Sequence, residues 1–421
     1  MFKPLEILLR RIVEHGNLSL ITHNGATFRF GDGEGPAVVA RLADRKLERQ
    51  LALDPHLAVG EAYMDGRLIM EQGRIYDLLA LVLENAIAHP PPRWAQSLDV
   101  ARFLTRRLAQ FNPAGRSRRN VAHHYDIDGS IYDLFLDADR QYSCAYFDDP
   151  DTPLEAAQKA KKRHLAAKLA LSEGQHVLDI GSGWGGLGIY LAETAGCIVD
   201  GVTLSVEQLK ISEARARRAG LANAVHFRLQ DYREVVGPYD RVVSVGMFEH
   251  VGVNHYGTYF RKVRELLKDD GVAVIHFIGR SEPPAITNPF IAKYIFPGGY
   301  IPALSEVMTA IERSGLITTD VEILRLHYAE TLRAWRERFI ENWEEAARIR
   351  DERFCRMWEF YLAGSETAFR YQNLVVFQIQ ATRRIDALPL TRDYMVSNEA
   401  ALQRAEREGI KARRVPRLAG E

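Results

Sequence analysis

The chain has only three cysteines in 421 residues, and their spacing makes them less informative still. Cys144, Cys197 and Cys355 lie far apart and no CxxC pair occurs. That removes a disulfide framework and a cysteine-based zinc site, and leaves reduced thiols of a cytosolic protein as the plain reading. His123 and His124 have no third ligand at metal spacing and read as structural. An excess of one charge sign is also missing: 55 Lys and Arg face 55 Asp and Glu. A chain built to bind nucleic acid normally carries a basic surplus, so that class is set aside. Long apolar runs are missing too. The richest, IYDLLALVLENAIA at 75–88, is too short and too interrupted to span a bilayer. The N-terminus, MFKPLEILLRRIVEHG, has arginines inside its apolar run and no small-residue cleavage site, so it reads as an amphipathic helix rather than a signal peptide. There is no internal repeat and no low-complexity tract. At 47% hydrophobic and 26% charged residues the composition is that of a globular protein, with length for two or three domains.

The pattern changes along the chain. LSLITHN and ATFRFGDG alternate like two strands around a turn, and HLAVGEAYMDGRLIME then runs into a helical stretch. We assign a small α+β domain to 1–110 and a basic linker to 111–120, continuing the arginine-rich run RFLTRRLAQFNPAGRSRRN. From 121 to 395 short β-branched runs follow at intervals of roughly 20–30 residues: HVLDIGSG, CIVDGVTL, VHFRLQD, YDRVVSVG and VAVIHFIG. Amphipathic helical stretches separate them. Near-continuous apolar strands alternating with helices indicate an α/β domain with a doubly wound parallel sheet. VEILRLH and LVVFQIQA complete that sheet, and 396–421 is left as a C-terminal tail.

HVLDIGSGWGGLG puts Gly181, Gly183, Gly185 and Gly186 between the first strand of that sheet and its helix. Glycines there permit tight turning and close approach of a ligand to backbone N–H groups. A dinucleotide enzyme would add an acid at the end of the second strand to bind a ribose. Thr203 stands there instead, and Asp200 comes earlier, inside the strand. S-adenosylmethionine suits the context better: Asp179 precedes the loop, Gln208 opens the helix after the second strand, and Asp231 ends the third, placed to accept from an adenine amine.

HHYDIDGSIYDLFLDADRQYSCAYFDDP (123–150), AQKAKKRHLAAKLAL (157–171), VLDIGSGWGG, GVTLSVEQ, LQDYR, MFEHVG, VIHFIGR, YIFPGGYIP, HYAETLRAW and FYLAGSETAFR together resemble the cyclopropane-fatty-acid and mycolic-acid cyclopropane synthases and related lipid methyltransferases. The resemblance runs from about 120 to 390, and GEAYMDGRL at 60–68 resembles the extra domain of the phospholipid-acting members. It implies a class I S-adenosylmethionine-dependent methyltransferase with a Rossmann-like sheet and a small N-terminal domain. The cofactor site it implies comprises Tyr142, Ser143, Gly181, Gly183, Thr203, Gln208, Gln230 and Asp231, to which we add Asp179, Trp184 and Gly185.

It also implies a reaction. Methyl transfer to the double bond of an acyl chain leaves a carbocation, and loss of a proton from the new methyl closes a cyclopropane ring. Such a site needs a base and walls that exclude water. The family's base is a bound bicarbonate ion, whose cradle maps onto Cys144, Glu249, His276, Tyr328 and the backbone of Ile278. Glu249 is expected to hold the bicarbonate proton and orient His276, with His250 in a supporting role. Many members carry a cysteine in the C-terminal helix where this chain has Ser365, which argues against an obligatory cysteine adduct. The aromatic and aliphatic residues of NPFIAKYIFPGGYIP and RMWEFYLAG are candidates for the walls of the acyl slot, and read equally well as core. The implied partners are unsaturated phospholipids at the inner membrane surface and a second subunit paired through the N-terminal domain; the arginines of 102–119, Arg116, Arg118 and Arg119 among them, read either as attracting anionic head groups together with the N-terminal helix or as a solvated basic linker.

Overall fold

The computed structural model describes residues 1–90, 102–103 and 129–408. The expected linker, with Arg116, Arg118 and Arg119, and the pair His123 and His124 lie outside these residues. Of the arginine-rich run, Arg102 is described, and it pairs with Asp54 at 2.7 Å.

The N-terminal unit is a four-stranded sheet with helices packed on it. Strands β1 (Asn17–Ile21), β2 (Thr27–Phe30), β3 (Ala37–Leu42) and β4 (Leu68–Gln72) run in the order β2-β1-β3-β4. The β1–β2 hairpin follows the alternation of its two segments, Leu18 opposite Phe30 and Leu20 opposite Phe28. Strands β3 and β4 go beyond what the sequence suggests. AVVARL pairs parallel to β1 after a glycine-rich turn, and LIMEQ breaks what reads as a run-in to a helix. Four helices, α1 (Lys3–Ile12), α2 (Arg45–Leu53), α3 (Pro55–Met64) and α4 (Ile75–Ala88), complete the unit. Asp44 starts α2 by accepting from Leu47 N at 2.9 Å, and Pro55 at the first position of α3 has no N–H to lose.

The larger unit carries a seven-stranded sheet in the order β10-β11-β9-β8-β5-β6-β7. Its strands are β5 (His176–Ile180), β6 (Ile198–Thr203), β7 (Val225–Leu229), β8 (Tyr239–Val245), β9 (Leu267–Arg280), β10 (Ile317–Leu324) and β11 (Leu374–Thr382). Strands β5 to β9 are mutually parallel, as expected. Strand β11 corrects the expectation of a fully parallel sheet: it inserts antiparallel between β9 and β10. Its long apolar run looks the same in either direction, so direction could not be read from it.

The helices of this unit are α5 (Gly129–Asp133), α6 (Leu154–Lys168), α7 (Gly186–Ala195), α8 (Val206–Arg218), α9 (Tyr256–Leu266), α10 (Leu304–Ser314), α11 (His327–Glu341), α12 (Trp343–Ile349), α13 (Glu352–Tyr371) and α14 (Asp393–Glu408). Both sheet faces are covered. Val177, Val243 and Val274 face a layer formed by α6, α7 and α8, while Leu178, Val242 and Ile275 face α9 and α10. Helix α14 crosses the expected boundary at 395/396 and packs on α6, where Glu399 and Glu406 meet His164 and Arg163. The run VEILRLH is strand only to Leu324, and His327 already opens α11.

The two units share one apolar cluster, which runs from Leu5 through Phe290 to Phe369. Helix α13 lies against α3 and α4. Gly60 of α3 sits so close to Phe290 and Phe360 that an added Cβ would come within 2.7 Å of both rings. Phe290 and Phe360, candidates for walls of an acyl slot, therefore serve as packing at this joint.

Candidate active site

Strand order reverses around β5, whose chain neighbours go to one side of it and β8 to the other. In doubly wound sheets ligands bind outside the carboxyl ends of the strands at such a point. A cavity opens there, and of the residues expected to hold the cofactor all but Gly185 line it.

The loop after β5 shapes its floor. Gly181 has φ +84°, and a side chain there would press on Met247 at 3.0 Å, so a residue with Cβ is excluded twice over. Gly185, also left-handed, opens α7; its missing Cβ leaves room for Phe227 and Ser212, so this glycine serves helix–sheet packing. Asp179, at the end of β5, is 2% exposed, and burial pushes its carboxyl up to about 7. Its Oδ2 has no hydrogen-bond partner among the described residues. After β6 the Thr203 hydroxyl donates to Gln208 Oε1 at 2.8 Å. After β7 Asp231 accepts twice from the Arg233 guanidinium, at 2.8 and 2.6 Å, and Gln230 donates to the Glu234 carbonyl at 3.1 Å. Trp184 packs edge-on to Tyr132 at 5.1 Å. Carboxylates at the ends of β5 and β7, a glycine floor and a mixed polar wall fit a cationic ligand with an exocyclic amine and hydroxyls, which is the donor set of S-adenosylmethionine.

The opposite wall is the strap Gln141–Cys144. Tyr142 shares a 2.8 Å hydrogen bond with the Tyr361 hydroxyl of α13 and stacks obliquely on Trp335 at 5.2 Å. Ser143 lines the cavity beside Gly246, where β8 ends. Cys144 is buried, its thiol donating to the Ala145 carbonyl, and burial raises its pKa so that it stays protonated. Tyr328, in the first turn of α11, packs edge-on to Trp335 at 5.8 Å.

Strand β9 runs past the end of β8, so the Ile278 N–H has no strand partner on that side. Glu249, in the turn after β8, supplies one: Oε1 accepts from Ile278 N at 2.7 Å. Its Oε2 is buried without a partner among the described residues, and burial pushes the carboxyl up to about 7. His276 precedes Ile278 by two positions on the same face of β9. Glu249 does not orient it, contrary to expectation. Gln378, its register partner on β11, donates Nε2–H to His276 Nδ1 at 3.2 Å, which places the imidazole proton on Nε2. Burial and the Lys161 charge hold His276 far below its usual pKa, so it is a neutral donor. His250 lines the cofactor cavity, its pKa pushed down to about 4 by burial.

Two polar residues of the site escaped the sequence reading, Lys161 and Gln378. Lys161 had a signal: with Leu154, Ala157, Gln158 and Leu165 it falls on the buried stripe of α6, at helical spacing. A lysine on an apolar stripe needs a partner inside. Gln378 left only a polar letter in an apolar strand run.

This sheet order and this site define a class I S-adenosylmethionine-dependent methyltransferase. The comparisons with known proteins narrow it. The model of the mycolic acid cyclopropane synthetase family matches residues 113–379. A cyclopropane-fatty-acyl-phospholipid synthase of Escherichia coli is 37% identical over 362 residues, covering 84% of this chain and 90% of its own. The tuberculostearic acid methyltransferase UfaA1 of Mycobacterium tuberculosis is 37% identical over 391 residues, 88% of this chain and 89% of its own. Among solved structures, the cyclopropane synthase MmaA2 of Mycobacterium tuberculosis superposes with a TM-score of 0.61 at 31% identity, covering 64% of this chain and 99% of that one. The mycolic acid cyclopropane synthase CmaA1, complexed with SAH and CTAB, gives 0.60 at 31% identity over 65% and 99%. The chain belongs to the mycolic acid cyclopropane synthetase family.

Proposed function

We propose that the protein transfers a methylene from S-adenosylmethionine to the cis double bond of unsaturated phospholipid acyl chains, giving a cyclopropane ring. One observation carries this reading beyond methyl transfer in general. The strap 142–144 lines the cofactor cavity on one side and joins the aromatic cluster of Tyr328 and Trp335 on the other, and Ile278, packed against that cluster, is bonded by Glu249, whose Oε2 is a buried acceptor without a partner among the described residues. A buried polar atom of that kind calls for an occupant.

Tyr142 and Ser143 hold the methionine end of the cofactor, Asp231 accepts from the adenine amine, and the glycine floor admits both. The orphaned Glu249 oxygen, as acceptor of its proton, and the neutral His276 and the Tyr328 hydroxyl, as donors, fit a small oxyanion, with Cys144 and the Ile278 backbone as its walls, and bicarbonate is the one we assign. When bound, it supplies the base that removes the proton from the new methyl. The residues around it hold that anion and keep water from the cation: Tyr142, Trp335 and Tyr328 form an aromatic wall whose π faces tolerate positive charge. Cys144 serves as a wall and not as a nucleophile, because burial denies it the thiolate that a nucleophile needs.

The substrate lies in a bilayer, and among the described residues no helix is long and apolar enough to cross one. We assign peripheral docking on the inner membrane face, through helix α1 with its Arg10 and Arg11 and through the arginines of 102–119, and subunit pairing through the N-terminal unit. A second reading, a methyl- or methylene-branched product, is kept alive by the similarity to a tuberculostearic acid methyltransferase.

The test is proton NMR of lipids after incubation of monounsaturated phospholipid vesicles with the protein and S-adenosylmethionine. Upfield ring-methylene signals with loss of olefinic protons are expected. Exocyclic methylene or methyl-branch signals would move the protein to the second reading, and unchanged lipids would overturn both. Glu249→Gln and His276→Ala should each lower turnover by at least about a hundredfold, the scale of a lost positioned acid–base group.

A further inference from the structure

Lys161 lies in the middle of α6 and is 1% exposed, and nothing in the reaction as described above uses it. Its ammonium donates to Gln141 Oε1 at 2.5 Å and to Ser143 Oγ at 2.8 Å. One turn earlier on the same face, Gln158, fully buried, donates Nε2–H to the carbonyls of Gln141 at 3.2 Å and Ser143 at 3.0 Å. Two side chains of one helix thus take hold of four oxygens on two strap residues. Such a strap has no freedom to swing.

The hydrogen-bond chemistry then has a direction. An ammonium has three donors and no acceptor, so the Ser143 hydroxyl, accepting from it, cannot return its own proton. That proton must go elsewhere, and Ser143 lines the cofactor cavity. We propose that Lys161 is a positioning residue for the cofactor: it fixes the 141–144 strap and makes the Ser143 hydroxyl an obligate donor to the carboxylate of the cofactor's methionine moiety, with its own charge behind that bond. The proposal rests on the assignment of the cavity to S-adenosylmethionine. It assigns a task to a residue outside the cofactor set read from the sequence.

Electrostatics supply the readout. Burial lowers the Lys161 pKa to about 8. Asp137 and Asp139 from the preceding loop favour its charge, Lys162 beside it opposes it, and the protonated Cys144 thiol nearby carries none. On the sheet side it faces Asp179 of β5, whose ionisation it assists, and His276 of β9, whose protonation it resists. A ligand carboxylate therefore meets a charged Lys161 below about pH 8 and a neutral one above.

The experiment is calorimetric titration of the full chain with S-adenosylhomocysteine across pH 6.5 to about 9.5, for the parent, Lys161→Met and Lys161→Arg. Lys161→Met should raise Kd at pH 7 by about tenfold or more, the scale of a lost charge-assisted hydrogen bond. Parent affinity should fall above about pH 8. Lys161→Arg, which keeps its charge, should bind within about threefold at pH 7 and lack that inflection. Because the ligand's own amine titrates equally for both proteins, the difference between their profiles isolates Lys161. A folded Lys161→Met binding within about twofold of the parent, or parent and Lys161→Arg profiles that coincide, would overturn the proposal. If Lys161→Met does not fold, the parent–arginine comparison decides alone. A parent that does not bind S-adenosylhomocysteine overturns the cofactor assignment as well. Lipids left unchanged while binding still depends on Lys161 would overturn only the acceptor reading.

Discussion

Glu249 shows how one carboxylate can serve fold and chemistry together. Its Oε1 closes the backbone gap left where β9 outruns β8, and Oε2 is left in an apolar corner. Burial raises its folded pKa from 4.5 to about 7, and the sign of the consequence follows from linkage. Below the unfolded value both states hold the proton and there is no penalty. As pH rises, the unfolded chain releases its proton first, so stability falls until the folded group ionises near 7. The loss is about 3 kcal/mol at 1.36 kcal/mol per unit. Glu249→Gln keeps a carbonyl oxygen for Ile278 and removes the titration. In carbonate-free buffer its denaturation midpoint should fall less between pH 5 and about 8 than the parent's. Part of the fall should remain, because Asp179 is raised to about 7 by the same cause. Equal slopes for the two proteins would show that Glu249 is already ionised at pH 5 and that the pH dependence lies elsewhere.

The glycine loop makes the corresponding case for elements. Gly185 combines a left-handed φ of +83° with a position where Cβ would lie 2.6 Å from the Phe227 ring and 2.8 Å from Ser212 Cβ. Gly185→Ala should therefore destabilise by about 2–5 kcal/mol, strain and overpacking together, and lower the melting temperature measurably. A melting temperature unchanged within error would mean that α7 can shift off the sheet. Elements of this kind were legible because their physics is local: a β-branched run followed by glycines reads as strand, turn and helix start. What depends on tertiary pairing was not. The run LVVFQIQA showed that β11 belongs to the sheet but not its position between β9 and β10 or its antiparallel direction, and AVVARL pairs with β1 and β4, neither of which its own letters specify. The same divide runs through the site. Residues in the glycine loop and at strand ends could be proposed from sequence because such positions attract function, and the fold brings all the expected cofactor residues but Gly185 to one cavity. Gln378 was hidden because only the register of two strands brings it to His276, and Tyr328 was placed after a strand because VEILRLH does not show where β10 gives way to α11.

At the scale of the whole molecule, helix α13 links the joint between the two units to the wall of the cavity. Helix α13 carries Phe360 toward Gly60 on one flank and Tyr361 toward Tyr142 of the strap on another, and Glu359 accepts from the Tyr63 hydroxyl of α3. A displacement of α3 is thus felt next to Tyr361, whose hydroxyl bonds Tyr142 on the wall of the cavity. Gly60 offers a test in which the sign of the effect is informative. In a free helix Gly→Ala gains about 1 kcal/mol from propensity. At this joint the new methyl would sit 2.4 Å from the Phe290 ring, so overpacking of about 1–3 kcal/mol should exceed that gain and Gly60→Ala should be destabilised. Gly60→Val, bulkier still, should push α3 away from α13. Because Tyr361 anchors Tyr142, which we assign to the methionine end of the cofactor, turnover of vesicle lipid should drop by about tenfold or more and Kd for S-adenosylhomocysteine should rise with it, by about threefold or more. A stabilised Gly60→Ala, or a Gly60→Val of full turnover, would show that the joint is slack and that the catalytic unit works without the N-terminal one pressed against it.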